Sequence, residues 1–248
     1  MINLDQIYWM WRRDIIKYLR DKLRLISSLF QPLLLFFVMG LGFSFIKIGN
    51  LNYLYFLFPG IVGISVIGLS IMSGISLIWD KEFGVFKLFQ VSPSSRFSVF
   101  LGKSLGGATI GTIQGIIILI FSFLIKFYLS PLSFLLSIII LFLISLGVSS
   151  LGLLIGIIID TFEGFGAISS FLIFPLMFLS GAFYPLNNIP KILYYITLID
   201  PLTYGIDLLR YVAIGFSYLP IYLDIIVLIL FDILFLSLGA IEINRKYQ

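Results

Sequence analysis

Long apolar runs separated by short polar connectors organise this chain. Six runs, about 29–46, 54–79, 104–127, 132–159, 165–186 and 218–241, stand out. Each is near or above the ~20 residues that a helix needs to cross a hydrocarbon layer ~30 Å thick. In lipid the backbone has no water to bond, so runs of this length satisfy themselves as helices. Gln31-Pro32 marks the entrance to the first run, Pro59 opens the second and Pro175 interrupts the fifth; a proline inside a membrane helix marks a bend, often near a moving part. Ahead of the first run the pattern changes. Leu4, Tyr8, Trp11, Ile15, Leu19 and Leu23 recur at three- or four-residue steps, with Arg13, Lys17, Arg20 and Arg24 opposite them. That stripe predicts an amphipathic helix lying in the membrane interface. The expected organisation is an interface helix at 1–28 followed by one six-helix transmembrane domain at 29–248.

Between the fifth and sixth runs, the segment 187–216 is too regular to be a simple loop. "NNIPKILYYITLID" predicts a short apolar helix. "DPLTYGIDLLRYVAIG" predicts a second, with Asp200 at the N-cap, Pro201 at the first helical position and Gly215 at the stop. Asp207 and Arg210 stand three apart, a spacing that lets them pair. Both helices are too short to span, so they are expected in the outer leaflet or on it.

Composition fixes the solvent. The chain has 248 residues, 60% hydrophobic and 11% charged, against roughly 25% charged residues in soluble domains. A core cannot hide that much apolar surface from water. The sixteen Lys and Arg then fix the topology. With six spans and the N-terminus inside, Arg12, Arg13, Lys17, Arg20, Lys22, Arg24, Lys81, Lys87, Arg96, Lys103, Arg245 and Lys246 are cytoplasmic, while Lys47, Lys126, Lys191 and Arg210 lie outside. The positive-inside rule therefore puts both termini in the cytoplasm of a multi-pass plasma-membrane protein. The net charge of +4 reports this topology, and nucleic acid is not an expected partner.

Several chemistries are excluded. There is no Cys and no His, so no disulfide, thiolate nucleophile, imidazole base or Cys/His metal site is available. The glycines of "GGATIGTIQG" lack the Lys-Ser/Thr that a phosphate-binding loop requires. Paired Asp-rich motifs for magnesium are absent from the sequence. Gly107, Gly111 and Gly115 share a face of the third span, just after Gly102 and Gly106, and Gly152 and Gly156 share one in the fourth; such spacing lets helices pack closely within the subunit. Asp224 and Asp232 lie in the sixth span, and the deeper Asp232 should face a partner, a cavity or a pore.

The remaining question is the connector Trp79–Lys103, "WDKEFGVFKLFQVSPSSRFSVFLGK", with Asp80, Lys81, Glu82, Lys87, Arg96 and Lys103 gathered in an otherwise apolar chain. Gly84 and Ser92-Pro93 supply turn chemistry on either side of an apolar patch, Val85, Phe86, Leu88 and Phe89. This connector resembles the signature of ABC-2 type transporter permeases, an Asp-[Arg/Lys]-Glu-x-Gly opening, a [Ser/Thr]-Pro-x-Ser-Arg middle and a Leu-Gly-Lys close. Here these stand as Asp80, Lys81, Glu82 and Gly84, then Ser92, Pro93, Ser95 and Arg96, then Leu101, Gly102 and Lys103. A second block, Phe174–Arg210, is similar to the family's Phe-Pro-x-x-Phe-Leu-Ser-Gly motif and its Asp-Pro-Leu-Thr-Tyr-x-x-Asp-x-Leu-Arg end. The N-terminus "RRDIIKYLRDKLRLISSLFQPLLLFFVMG" resembles the drug-exporting members. The likeness covers essentially the whole chain. Members usually carry Thr and an acid after the connector's glycine, where this chain has Val85, Phe86 and Lys87.

The resemblance implies an all-α integral membrane protein that serves as the permease subunit of an ATP-driven exporter and is not itself an enzyme. It implies two separate ATPase subunits per complex, which hold the ATP and magnesium, and a second copy of this chain or a homologous permease. The connector 80–103 becomes a cytosolic coupling loop, with Asp80, Lys81, Glu82, Gly84, Val85, Phe86, Ser92, Pro93, Arg96 and Lys103 as the docking or coupling residues. Asp232, Pro175, Asp207 and Arg210 become candidates for the translocation path or its gate. The cargo it suggests is lipophilic or amphipathic: a drug, a lipid or a lipid-linked glycan. Polysaccharide or sodium export by the same architecture is an alternative, as is a self-sufficient channel or secondary transporter.

Overall fold

The computed structural model describes residues 3–48, 51–84 and 95–246. Helices α1 (Leu4–Arg20) and α2 (Lys22–Gly42) come first. A two-residue hairpin follows, β1 (Lys47–Ile48) antiparallel to β2 (Leu51–Asn52). Then come α3 (Tyr53–Ile71), α4 (Ser73–Glu82), α5 (Arg96–Ile120, extended by a 3-10 turn at Phe121–Ile125), α6 (Pro131–Ile158) and α7 (Phe162–Leu179). The chain ends with α8 (Lys191–Ile199), α9 (Pro201–Ile214) and α10 (Ile221–Lys246). Among the described residues, six helices are long and apolar enough to cross a bilayer: α2, α3 with α4, α5, α6, α7 and α10. The all-α, six-span expectation holds, and α8 and α9 form a pair bent by 92° before the last span.

Several boundaries differ from the sequence reading, each for a local reason. The amphipathic helix does not run to residue 28. Asp21 accepts a hydrogen bond from the Arg24 amide at 3.0 Å and so opens a new helix at Lys22. The first span therefore starts seven residues earlier than residue 29, and Pro32 lies inside it rather than at its entrance. Pro59 likewise lies inside α3, which is capped by Asn52. The second span continues through a break at Met72 to Glu82, and the third begins at Arg96 rather than 104. The described charged residues of the connector are thus all helical. Asp80, Lys81 and Glu82 finish α4, whereas Arg96 and Lys103 belong to α5. Val85, Phe86, Lys87, Leu88, Phe89, Ser92 and Pro93 lie outside the described residues. Asp200 caps α9 through a 2.9 Å bond from the Leu202 amide, Pro201 takes the first position and Gly215 ends the helix with φ 70°, as the sequence predicts.

Helices α3, α5 and α6 form the centre, and the third- and fourth-span glycines make it possible. In lipid, helix association relies on close packing and interhelical bonds rather than on expelling water. Gly107 and Gly111 face Ser149 and Ser145 of α6, and Gly115 faces Leu141. Gly152 lies against the Ile71 carbonyl, and a Cβ on Gly156 would come within 2.6 Å of the Gly74 carbonyl. These contacts are backbone to backbone, and no larger side chain fits between them. Helix α1 packs along the start of α5. Gly102 receives Ile7 and Met10, Gly106 receives Asp14, and the Trp11 indole N–H donates to Thr109 Oγ1 at 2.9 Å.

Candidate functional site

The terminal end of the bundle, where α1, α4, α5, α6 and α10 meet, concentrates the charges that the sequence placed in one connector. Asp80 is buried, and its Oδ2 accepts from Lys103 Nζ at 2.6 Å and from Arg13 Nη2 at 2.8 Å. Lys103 is fully buried, donates to Ser76 Oγ at 2.8 Å and lies 3.9 Å from Asp14 Oδ2. Asp14 is itself buried and accepts from Arg13 Nε at 3.3 Å. Two cations and two anions thus form a neutral cluster tying α1 and α4 to α5. Burial opposes the Arg13 charge, but the carboxylates of Asp14 and Asp80 outweigh it and raise its pKa. An isolated ion in such a place would lose several kcal/mol of hydration. With all four groups bonded, the cluster fixes the relative positions of three helices.

A second cluster sits beside it. Helix α6 ends at Ile158 with carbonyls that have no intrahelical donor. Lys81 Nζ donates to Gly156 O at 2.7 Å and Ile157 O at 3.0 Å, while Lys246 Nζ donates to Ile157 O at 2.6 Å. Both ammonium groups also reach Asp160 Oδ1 at 2.8 Å. Cations at a helix C-terminus complement its dipole, so α4 and α10 are clasped to the end of α6. The hydrogen bonds from Lys246 and then Lys81 hold the Asp160 carboxyl below its usual range.

The expected docking residues therefore divide. Asp80 and Lys103 face inward, enclosed by the α1 charges Arg13 and Asp14, far away in sequence. Lys81 bridges to α6. Glu82 is exposed, and Phe83 beside it is 68% exposed and stacks on Trp79 at 5.1 Å between ring centroids. Gly84 ends α4 with φ 69°, a conformation that favours glycine. Arg96 is half-buried and donates to the Asn244 carbonyl of α10 at 3.4 Å. The sequence reading missed Arg13, Asp14, Asp160 and Lys246 as members of this base. Asp160 lies in the short turn "DTFEG" between α6 and α7.

At the opposite end, Asp207 and Arg210 do not form the pair that their spacing allowed. Asp207 accepts from the amides of Tyr218 and Leu219, each at 2.8 Å. Arg210 is buried, donates to Gly181 O at 2.7 Å and Ala182 O at 2.9 Å, and covers the Phe56 ring at 3.9 Å. Local spacing permitted an ion pair, but free backbone groups of neighbouring turns offered each side chain more bonds. These residues pin α9 to the turn after α7 and to the top of α3. Asp232 is buried against Gly147 of α6, and Pro175 is exposed on α7 beside Phe174 and Phe178.

Chains with this layout have known relatives. The model of the ABC-2 type transporter family matches residues 5–214. The chain belongs to that family. Among its relatives is a protein of Cyanophora paradoxa named transport permease ycf38, 30% identical over 249 residues, covering 93% of this chain and 86% of that one. The inner membrane transport permease YadH of Escherichia coli is 25% identical over 240 residues, 92% of this chain and 93% of YadH. A multidrug ABC transporter permease by name, YbhR of Escherichia coli, is 29% identical over 165 residues, 65% of this chain and 44% of YbhR. The ABC-2 match and the six apolar helices make this chain a multi-pass membrane permease, the membrane subunit of an ABC transporter, in a family that transports rather than catalyses.

Proposed function

We propose that this permease exports a lipophilic or amphipathic cargo across the plasma membrane, driven by two separate ATPase subunits that dock on its terminal end, and that it works with a second copy of itself or a homologous permease. Both termini then lie in the cytoplasm and α8–α9 face outward, as the basic residues favour. The observation that carries this reading is the seating of the connector. Its two flanks, Asp80–Lys81 and Arg96–Lys103, are bonded through the two ionic clusters to α1, α6 and α10. A push on this loop would be delivered to five helices at once. Glu82 and Phe83, exposed at its start, offer the mixed polar and apolar surface that suits a detachable subunit interface. In this reading Asp80, Lys81 and Lys103 transmit force, whereas Glu82, Arg96 and the segment Val85, Phe86, Ser92 and Pro93 make the contact. In this reading ATP and magnesium belong to the partner subunits.

The test is coupling. Glu82→Lys and Arg96→Glu should each lower cargo-stimulated ATP hydrolysis by the reconstituted complex by roughly fivefold or more, as expected for lost interface charges, with membrane insertion unchanged. Unaltered coupling in both variants, or transport by the purified chain with no ATPase present, defeats the reading.

A further inference from the structure

Two cavities on the terminal half of the bundle share a wall. The first, about 420 Å³, opens between the α1–α2 elbow and α4. Lys17 and Arg24 stand at its mouth, and Tyr18, Ser73, Ser76 and Trp79 line it. The second, about 290 Å³, lies deeper between α2, α3 and α7, with Leu35, Ile64, Ile67 and Met177 in its walls. Leu69 and Met72 line both.

The charges of the first cavity are unbalanced. Its two acids are already engaged, Asp14 in the buried cluster and Asp21 as the cap of α2. Lys17 and Arg24 have no carboxylate within 4.0 Å among the described residues. Tyr18 is only 2% exposed, and its hydroxyl lies in the cavity wall with Ser28 as its side-chain partner. That hydroxyl adds a polar group to the wall of a cavity whose basic residues, Lys17 and Arg24, are unbalanced by any free acid. The second cavity is more apolar, with only Ser28, Gln31 and Ser65 as polar lining residues. A Cβ on Gly68, in its wall, would meet nothing within 4 Å. From Arg24 to Leu35 along α2, at ~1.5 Å per residue, is roughly 16 Å, close to half of a ~30 Å hydrocarbon layer.

We infer that the two cavities form one binding site for an amphipath with an anionic, phosphate-type head and a hydrocarbon chain. Its head lies between Lys17 and Arg24, and its chain lies in the apolar chamber beside Gly68. Basic pockets between spans on the cytoplasmic side hold lipid head groups in this way. The position adds a sign to the cargo class proposed above and to that extent rests on it. Binding itself requires neither ATPase nor transport, so a failed coupling assay leaves this site untouched, and a failed binding assay leaves the coupling reading untouched.

The experiment is a titration of the delipidated full chain in neutral detergent with phosphatidylglycerol and, separately, phosphatidylcholine of the same chains, read by native mass spectrometry. Phosphatidylglycerol should bind roughly 30-fold more tightly, about fivefold for each cation. Lys17→Ala with Arg24→Ala should erase that preference, and Lys17→Arg with Arg24→Lys should restore most of it. Gly68→Leu, a helix-compatible change into open space, should weaken phosphatidylglycerol at least fivefold without unfolding the chain. Glycerol phosphate, the head without a chain, should fail to compete at equal concentration. Equal affinity for the two lipids, a preference that survives the Lys17/Arg24 double alanine variant, unaltered binding by Gly68→Leu, or full competition by glycerol phosphate would each overturn the proposal.

Discussion

Asp80→Asn tests whether the base is held by charge. In the native cluster Arg13 and Lys103 face Asp14 and Asp80, two against two, and the Lys103 ammonium is 0% exposed with Asp80 2.6 Å away. Replacing Asp80 with Asn leaves Lys103 with Ser76 Oγ at 2.8 Å and a carboxylate no nearer than Asp14 at 3.9 Å. Removing one partner of a buried pair costs about 3–5 kcal/mol, because the remaining charge stays desolvated. Asn keeps one acceptor, so the lower end, about 3 kcal/mol, is expected. The double variant Asp80→Asn, Lys103→Met removes one charge of each sign and leaves the Arg13–Asp14 contact intact. It should recover at least about 2 kcal/mol relative to the sum of the single changes, a coupling of the size seen between contacting residues. Reversible unfolding of the chain in mixed micelles by increasing SDS measures all four corners of the cycle. Additivity within about 0.5 kcal/mol would refute the argument, since it would mean that water already screens these groups.

Three further outcomes follow from the same structure. Gly152→Val should abolish the folded, monodisperse species on size exclusion, because its side chain meets the Ile71 backbone, whereas Gly68→Ala, facing open space, should leave the elution and midpoint unchanged. Asp207→Ala should raise the hydrogen exchange rate of the Tyr218 and Leu219 amides at least tenfold, given about 1–3 kcal/mol for each buried donor left unpaired, while amides in the middle of α6 keep their protection. Asp160 carries a pH signature. Its folded pKa lies below the ordinary value, so its stabilising share is fully present above about pH 4, near the unfolded carboxylate pKa, and is lost as the pH falls through the folded value. The SDS midpoint difference between the native chain and Asp160→Asn should be flat from pH 8 to about pH 5 and shrink below about pH 4; a constant difference down to pH 3 would contradict the clasp.

Much of the architecture was legible because lipid imposes simple rules. Apolar length gave the six spans, and the Asp200, Pro201 and Gly215 triplet marked α9 to the residue. The ends of spans were harder. Where a helix leaves the apolar layer its sequence turns polar without ceasing to be helical, so α2, α4 and α5 each extend into stretches that hydropathy assigns to connectors. The base was the least legible part. Asp80 and Lys103 carry the composition of a solvated loop, and nothing local reveals that Arg13 and Asp14 will close over them. The opposite error arose at Asp207 and Arg210, where a plausible local pair gave way to backbone partners in Tyr218, Leu219, Gly181 and Ala182.

The break at Met72 looks like a joint, but it is tightly gripped on both sides. On one side Ile71 touches Gly152 and on the other Gly74 touches Gly156, with main chain against main chain in both places. On the coupling reading proposed above, a stroke applied to the foot of α4 would pass into α6 through this contact, and the compliance of the permease would reside in parts less firmly gripped than this central strut.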